Sequence, residues 1–65
     1  MIYFEIRRKI VNLLHLNGPL DMDHIVSHFV EIGEDRKEIS RGLASAVSTG
    51  CVHFDPSTKL YSAVV

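Results

Sequence analysis

Sixty-five residues, with seven Lys or Arg, eight Asp or Glu and a formal net charge of −1, bound the chain to one small domain, residues 1–65, that hides only about 60% of its potential surface on folding. The near-neutral balance argues against indiscriminate polyanion binding. The single cysteine, Cys51, excludes an intramolecular disulfide and leaves stability to a compact aliphatic core, or to one shared with a second copy.

The opening stretch MIYFEIRRKIV carries charge from Glu5 onward, which does not fit a secretory signal. No stretch approaches the roughly 18 apolar residues of a bilayer span. With a free thiol, this points to the reducing cytoplasm and to no membrane partner. A first helix is expected over about residues 2–16, because Ile2, Ile6, Ile10, Leu13 and Leu14 fall on one stripe. Phe4 and Val11 lie off that stripe, to be covered by the rest of the fold or to form a self-association patch. Asn17-Gly18-Pro19 ends the helix, since Gly18 takes the left-handed cap and Pro19 cannot continue it.

A second helix is expected over about residues 22–32. Asp21 caps it, Asp23 suits its positive end, and Leu20 with Ile25 forms a hydrophobic staple. Ile25, Phe29 and Ile32 make its buried side, and Gly33 ends it. A third helix follows over about residues 36–49, with Asp35 and Glu38 in capping-box spacing. Ile39, Gly42, Leu43, Ala46 and Val47 share its inner face, and Gly50 closes it. The remainder, about residues 51–64, alternates as a hairpin: Val52 and Phe54 against Cys51 and His53, a turn opened by Asp55-Pro56, then β-favouring residues again.

Charge is unevenly placed. Residues 20–35 hold Asp21, Asp23, Glu31, Glu34 and Asp35 without a lysine or arginine. The cations form two clusters, Arg7-Arg8-Lys9 and Arg36-Lys37…Arg41, with Lys59 alone near the end. The first cluster spans most of a helical turn, so it reads as a solvated face. Opposite the buried line of the third helix stand Lys37, Arg41, Ala44 and Ser48, with Ser40 and Ser45 beside them. A face meant only for water favours long charged residues, which are better helix formers than serine. Small side chains let a backbone approach closely, and hydroxyls can donate to phosphate or base edges. Arg41 has the fork geometry to pair with guanine, and Arg36 and Lys37 suit phosphate at a positive helix end. The plainer reading is a tolerated surface on a helix that only packs.

The order of helix, helix, helix, hairpin, with room for a token extended segment at Gly18–Leu20, resembles the winged helix-turn-helix superfamily. The resemblance covers essentially the whole chain. It is carried by GPLDMDHI opening the second helix, EISRGLASAVSTGCV from the third helix into the next strand, and KLYSA in the last strand. It implies an α+β domain whose third helix enters the major groove of double-stranded DNA while the hairpin, as a wing, rests on the backbone through Lys59. The implied interface is Arg36, Lys37, Ser40, Arg41, Ala44, Ser45, Ser48 and Lys59. One departure is Glu34, where compact helix-turn-helix patterns prefer an apolar residue, so a looser connection is expected between the second and third helices. The chain is also similar to small winged-helix domains that read left-handed Z-form nucleic acid. Those carry an asparagine and a tyrosine on the third helix, and paired prolines and a tryptophan in the wing. Ser40, Ala44, the single Pro56 and Tyr61 stand here instead, and that activity is not expected.

So few cations imply weak binding by one copy, because phosphate contacts supply much of the affinity. A homodimer or a partner protein is therefore expected, through Phe4 and Val11 or through the edge of the final YSAVV strand. A winged helix that binds protein rather than DNA is the competing function. His24 and His28 at i, i+4, and Cys51 and His53 on one strand face, have metal-compatible spacing. Four converging ligands are not in prospect, so neither metal nor other cofactor is expected. No glycine-rich phosphate loop and no nucleophile–base pair can be assembled, so no enzyme is expected.

Overall fold

The computed structural model describes residues 2–64, with side chains from Glu5 onward. Three helices, α1 (Ile2–Asn17), α2 (Met22–Glu31) and α3 (Arg36–Ser48), precede an antiparallel hairpin of β1 (Val52–Asp55) and β2 (Leu60–Ala63). This α+β arrangement matches a winged-helix layout. The register pairs Val52 with Ala63 and Asp55 with Leu60. Leu20 adds a one-residue third strand, donating to and accepting from the backbone of Tyr61 at 3.0 and 2.7 Å. Among the described residues, no helix is long and apolar enough to cross a membrane.

The core forms where the apolar stripes meet. Ile6, Ile10, Leu13 and Leu14 of α1 close on Ile25, Val26 and Phe29 of α2, on Ile39, Leu43 and Ala46 of α3, and on Val52 of β1. Among the described residues, two expected inside are outside; the side chain of Ile2, also expected on the buried stripe, lies outside the described residues. Ile32 is 62% exposed because α2 stops at Glu31 and Ile32 is its C-cap, with φ −95° and ψ 9°. Its side chain therefore leaves the helical stripe, while Val26, earlier in α2, is buried beside Ile25 and Phe29. Val47 is 38% exposed, since it lies about 90° around α3 from the middle of the buried face. Val11 packs against the core, so it is used internally; the side chain of Phe4 lies outside the described residues. The outer edge of the final strand is covered at one point: β2 pairs with β1 on one side, and on the other Leu20 bridges Tyr61 alone.

The α2–α3 connection is short despite Glu34. Gly33, at φ 100°, donates to Val30 O at 3.1 Å, and Glu34 N donates to Phe29 O at 2.9 Å, the paired bonds of a Schellman cap. Glu34 then accepts from Lys9 Nζ at 2.7 Å. A carboxylate at this position thus ties the connection back to α1, and the pairing holds the Lys9 ammonium above the ordinary lysine range. Asp35 makes no side-chain cap hydrogen bond, so the expected capping box does not form.

Asp21 does cap α2. Its Oδ1 accepts from His24 N at 2.8 Å and lies 2.7 Å from His24 Nδ1. The backbone amide, then the ring, holds the Asp21 carboxyl below the ordinary carboxylate range. A lowered folded-state value means that this stabilisation is full above the unfolded-state value and is lost as pH falls through the folded one. Thermal melts from neutral to strongly acidic pH should therefore show the wild type losing more stability than Asp21→Asn, whose amide caps without titrating. Parallel curves would refute the capping charge.

The hairpin turn is built on Asp55, which accepts from Ser57 N and Ser57 Oγ at 2.9 and 2.8 Å. Lys59 completes the turn at φ 60°, donating its amide to Asp55 O at 2.7 Å. A left-handed residue with a Cβ costs about 1–2 kcal/mol, which glycine avoids. Lys59→Gly is expected to raise stability by up to about 1 kcal/mol once the entropy lost by glycine is deducted, read as a higher midpoint in urea.

Candidate nucleic-acid interface

Helix α3 is seated by Gly42, which faces α1. A Cβ built at Gly42 would overlap Ile6 Cγ2 and stand 3.0 Å from Ile6 Cβ and 3.5 Å from the Arg7 amide nitrogen. The absence of a side chain is what lets the helices approach, and it fixes which side of α3 turns outward. That side holds Lys37, Arg41, Ala44 and Ser48, all exposed, at i, i+4, i+7 and i+11 on one stripe. Arg36 and Ser40 are exposed on one flank, and Val47 joins them there. Ser45 is half-buried on the other flank, toward α1.

Residues from α1 also reach this region. The half-buried Arg7 donates from Nη1 to Ser45 Oγ at a long 3.5 Å. The basic cluster of α1 is therefore divided: Arg7 lies along α3, Lys9 pairs with Glu34, and Arg8 is exposed. Reading Arg7 only as part of a solvated face missed its place. The usable signal was Gly42, because a glycine among larger inner-face residues marks where α1 comes closest, and Arg7 follows Ile6 at that turn.

The electrostatics of the α3 start are balanced rather than strongly positive. Arg36 and Lys37 stand among Asp35 and Glu38, while Glu34 is already matched by Lys9. Lys59 stands at the end of the hairpin turn. It lines a groove with Asp21, Met22, Asp23, Phe54 and Tyr61, between the start of α2 and the hairpin, so its neighbourhood contains two carboxylates. The face that remains is a narrow helix with cations in its first half and Ala44, Ser48 and Val47 beyond. Such a helix can enter a groove about 12 Å wide.

Among the described residues, no three His, Cys, Asp or Glu side chains converge to hold a metal. His24 is engaged with Asp21, and the ring of His28 meets Phe29 edge-on at 4.9 Å. The thiol of Cys51 is half-buried and free, and accepts from Thr49 Oγ1 at 3.5 Å. No protein-family model, characterised protein or solved structure matches this chain.

Proposed function

We propose that the chain is a cytoplasmic winged-helix protein that binds double-stranded DNA through the outer face of α3 and acts as a transcriptional regulator. One observation carries the reading: Lys37, Arg41, Ala44 and Ser48 form an exposed stripe opposite Ile39, Gly42, Leu43 and Ala46, which are buried. In this reading α3 lies in the major groove. Arg41 reaches a base edge, Ser40, Ala44 and Ser48 allow close approach, and Arg36 and Lys37 meet phosphate. Ser45, shared with Arg7, supports the register from the side. Lys59 contributes least, because Asp21 and Asp23 offset its charge. With so few cations the complex is weak and salt-sensitive, and a second copy or a partner protein supplies the remaining affinity.

The alternative is a protein-interaction module of the same architecture. It is favoured by the charge-balanced first turn of α3 and by the aspartates beside Lys59. A titration of mixed-sequence duplex into the protein at several salt concentrations separates the two. The DNA reading expects affinity to fall steeply with salt; no binding at low salt transfers the assignment to the interaction module.

A further inference from the structure

The bridge between Leu20 and Tyr61 places the first turn of α2 directly against the hairpin. The groove between them has a floor of half-buried Phe54 and Tyr61, whose ring centroids are 4.7 Å apart with planes inclined at 43°. Met22, 39% exposed, extends the apolar surface. Asp21 and Asp23 stand on the α2 side and Lys59 on the hairpin side, and these six residues line the groove. None of the proposed DNA-contacting residues of α3 is among them.

The lining carries a net charge of −1, two carboxylates against one ammonium, beside two aromatic rings. Oxygen Oδ1 of Asp21 is occupied by His24, so the Asp23 carboxylate is the better placed to receive a donor. A flat cation with several N–H groups and a weakly hydrated face matches such a lining. Guanidinium meets that description better than ammonium, because it stacks on aromatic rings while pairing with a carboxylate. We propose that this groove docks an arginine side chain of a partner protein, the guanidinium lying against Phe54 and Tyr61 and donating to Asp23. Lys59 opposes the incoming cation and sets a limit on affinity.

The proposal stands apart from DNA binding and can fail without it. The probe is the blocked peptide Ac-AARAARAA-NH2, titrated into the isotopically labelled 65-residue chain and followed by NMR. The peptides with glutamine or glutamate in place of arginine serve as comparisons. Saturable shifts centred on Met22, Asp23, Phe54 and Tyr61 are expected for the arginine peptide alone. Asp23→Asn should weaken binding at least about threefold, and Lys59→Met should tighten it by about the same factor. Both positions are exposed, and amide-peak dispersion reports whether each variant remains folded. Equal shifts from the glutamine or glutamate peptides, shifts located elsewhere, no binding, or an unchanged constant in Asp23→Asn would each overturn the assignment. A DNA duplex that moves the α3 resonances and leaves this groove still would separate the two surfaces.

Discussion

Gly42→Ala is expected to destabilise the protein by about 1–2 kcal/mol, the usual cost of overpacking a filled interface. Two effects oppose each other. Alanine is the better helix former by up to about 1 kcal/mol, a gain that would raise stability at an open helical position. At Gly42, however, the added methyl overlaps Ile6 Cγ2, and even the Ile6 Cβ stands only 3.0 Å away. Ile6 is β-branched and held at χ1 in its helix, so it cannot swing aside. Helix α1 must move as a unit, and the whole core follows from its packing on α3. In a domain of this size, whose total stability is on the order of 3–10 kcal/mol, the loss lowers the melting temperature by roughly 4–15 °C. The mechanism is checked by a double-mutant cycle. In an Ile6→Ala background the Cγ2 overlap is gone and only the close approach to the retained Cβ remains, so the cost of Gly42→Ala should fall clearly below its cost in the wild type. A wild-type background in which Gly42→Ala raises the melting temperature would show that the helices are not in close contact there.

The same glycine illustrates how far the chain can be read unaided. Helix positions follow from periodicity and from the glycines that end them, and Asp21 announces its cap. The fold class follows from the order of these elements. Side chains at the margins of a stripe are harder. Ile32 and Val47 carry the right hydrophobicity for burial, yet one is set outward by the helix end and the other by a quarter-turn. Both outcomes depend on where the neighbouring helix lies, which periodicity within one helix does not contain. The aspartate-lined setting of Lys59 has the same origin. It arises from the pairing of Leu20 with Tyr61, residues some forty positions apart. The exposed stripe of α3 was legible because it lies opposite the strongest part of the buried face, where small errors of rotation do no harm.

That stripe yields the second large effect. Replacing Lys37 and Arg41 together with alanine is expected to weaken duplex binding by at least about tenfold at low salt, since a specific arginine–guanine pair alone is worth about 1–3 kcal/mol. The two residues should fail differently. A lysine at phosphate contributes without regard to sequence, so Lys37→Ala lowers affinity for every duplex alike and reduces the salt slope by about 0.9. An arginine on a base edge discriminates, so Arg41→Ala narrows the gap between preferred and random sequences. If both cations instead meet phosphate, the double variant loses about 1.8 from the slope and keeps its sequence preference. Melting curves for each variant separate lost contacts from lost structure. Lys59→Ala is the internal control: with Asp21 and Asp23 lining the same groove, it should change duplex affinity much less than either α3 substitution. A larger effect at Lys59 than at Lys37 and Arg41 would move the interface from α3 to the hairpin. An unchanged salt slope in the double variant would remove α3 from the interface altogether.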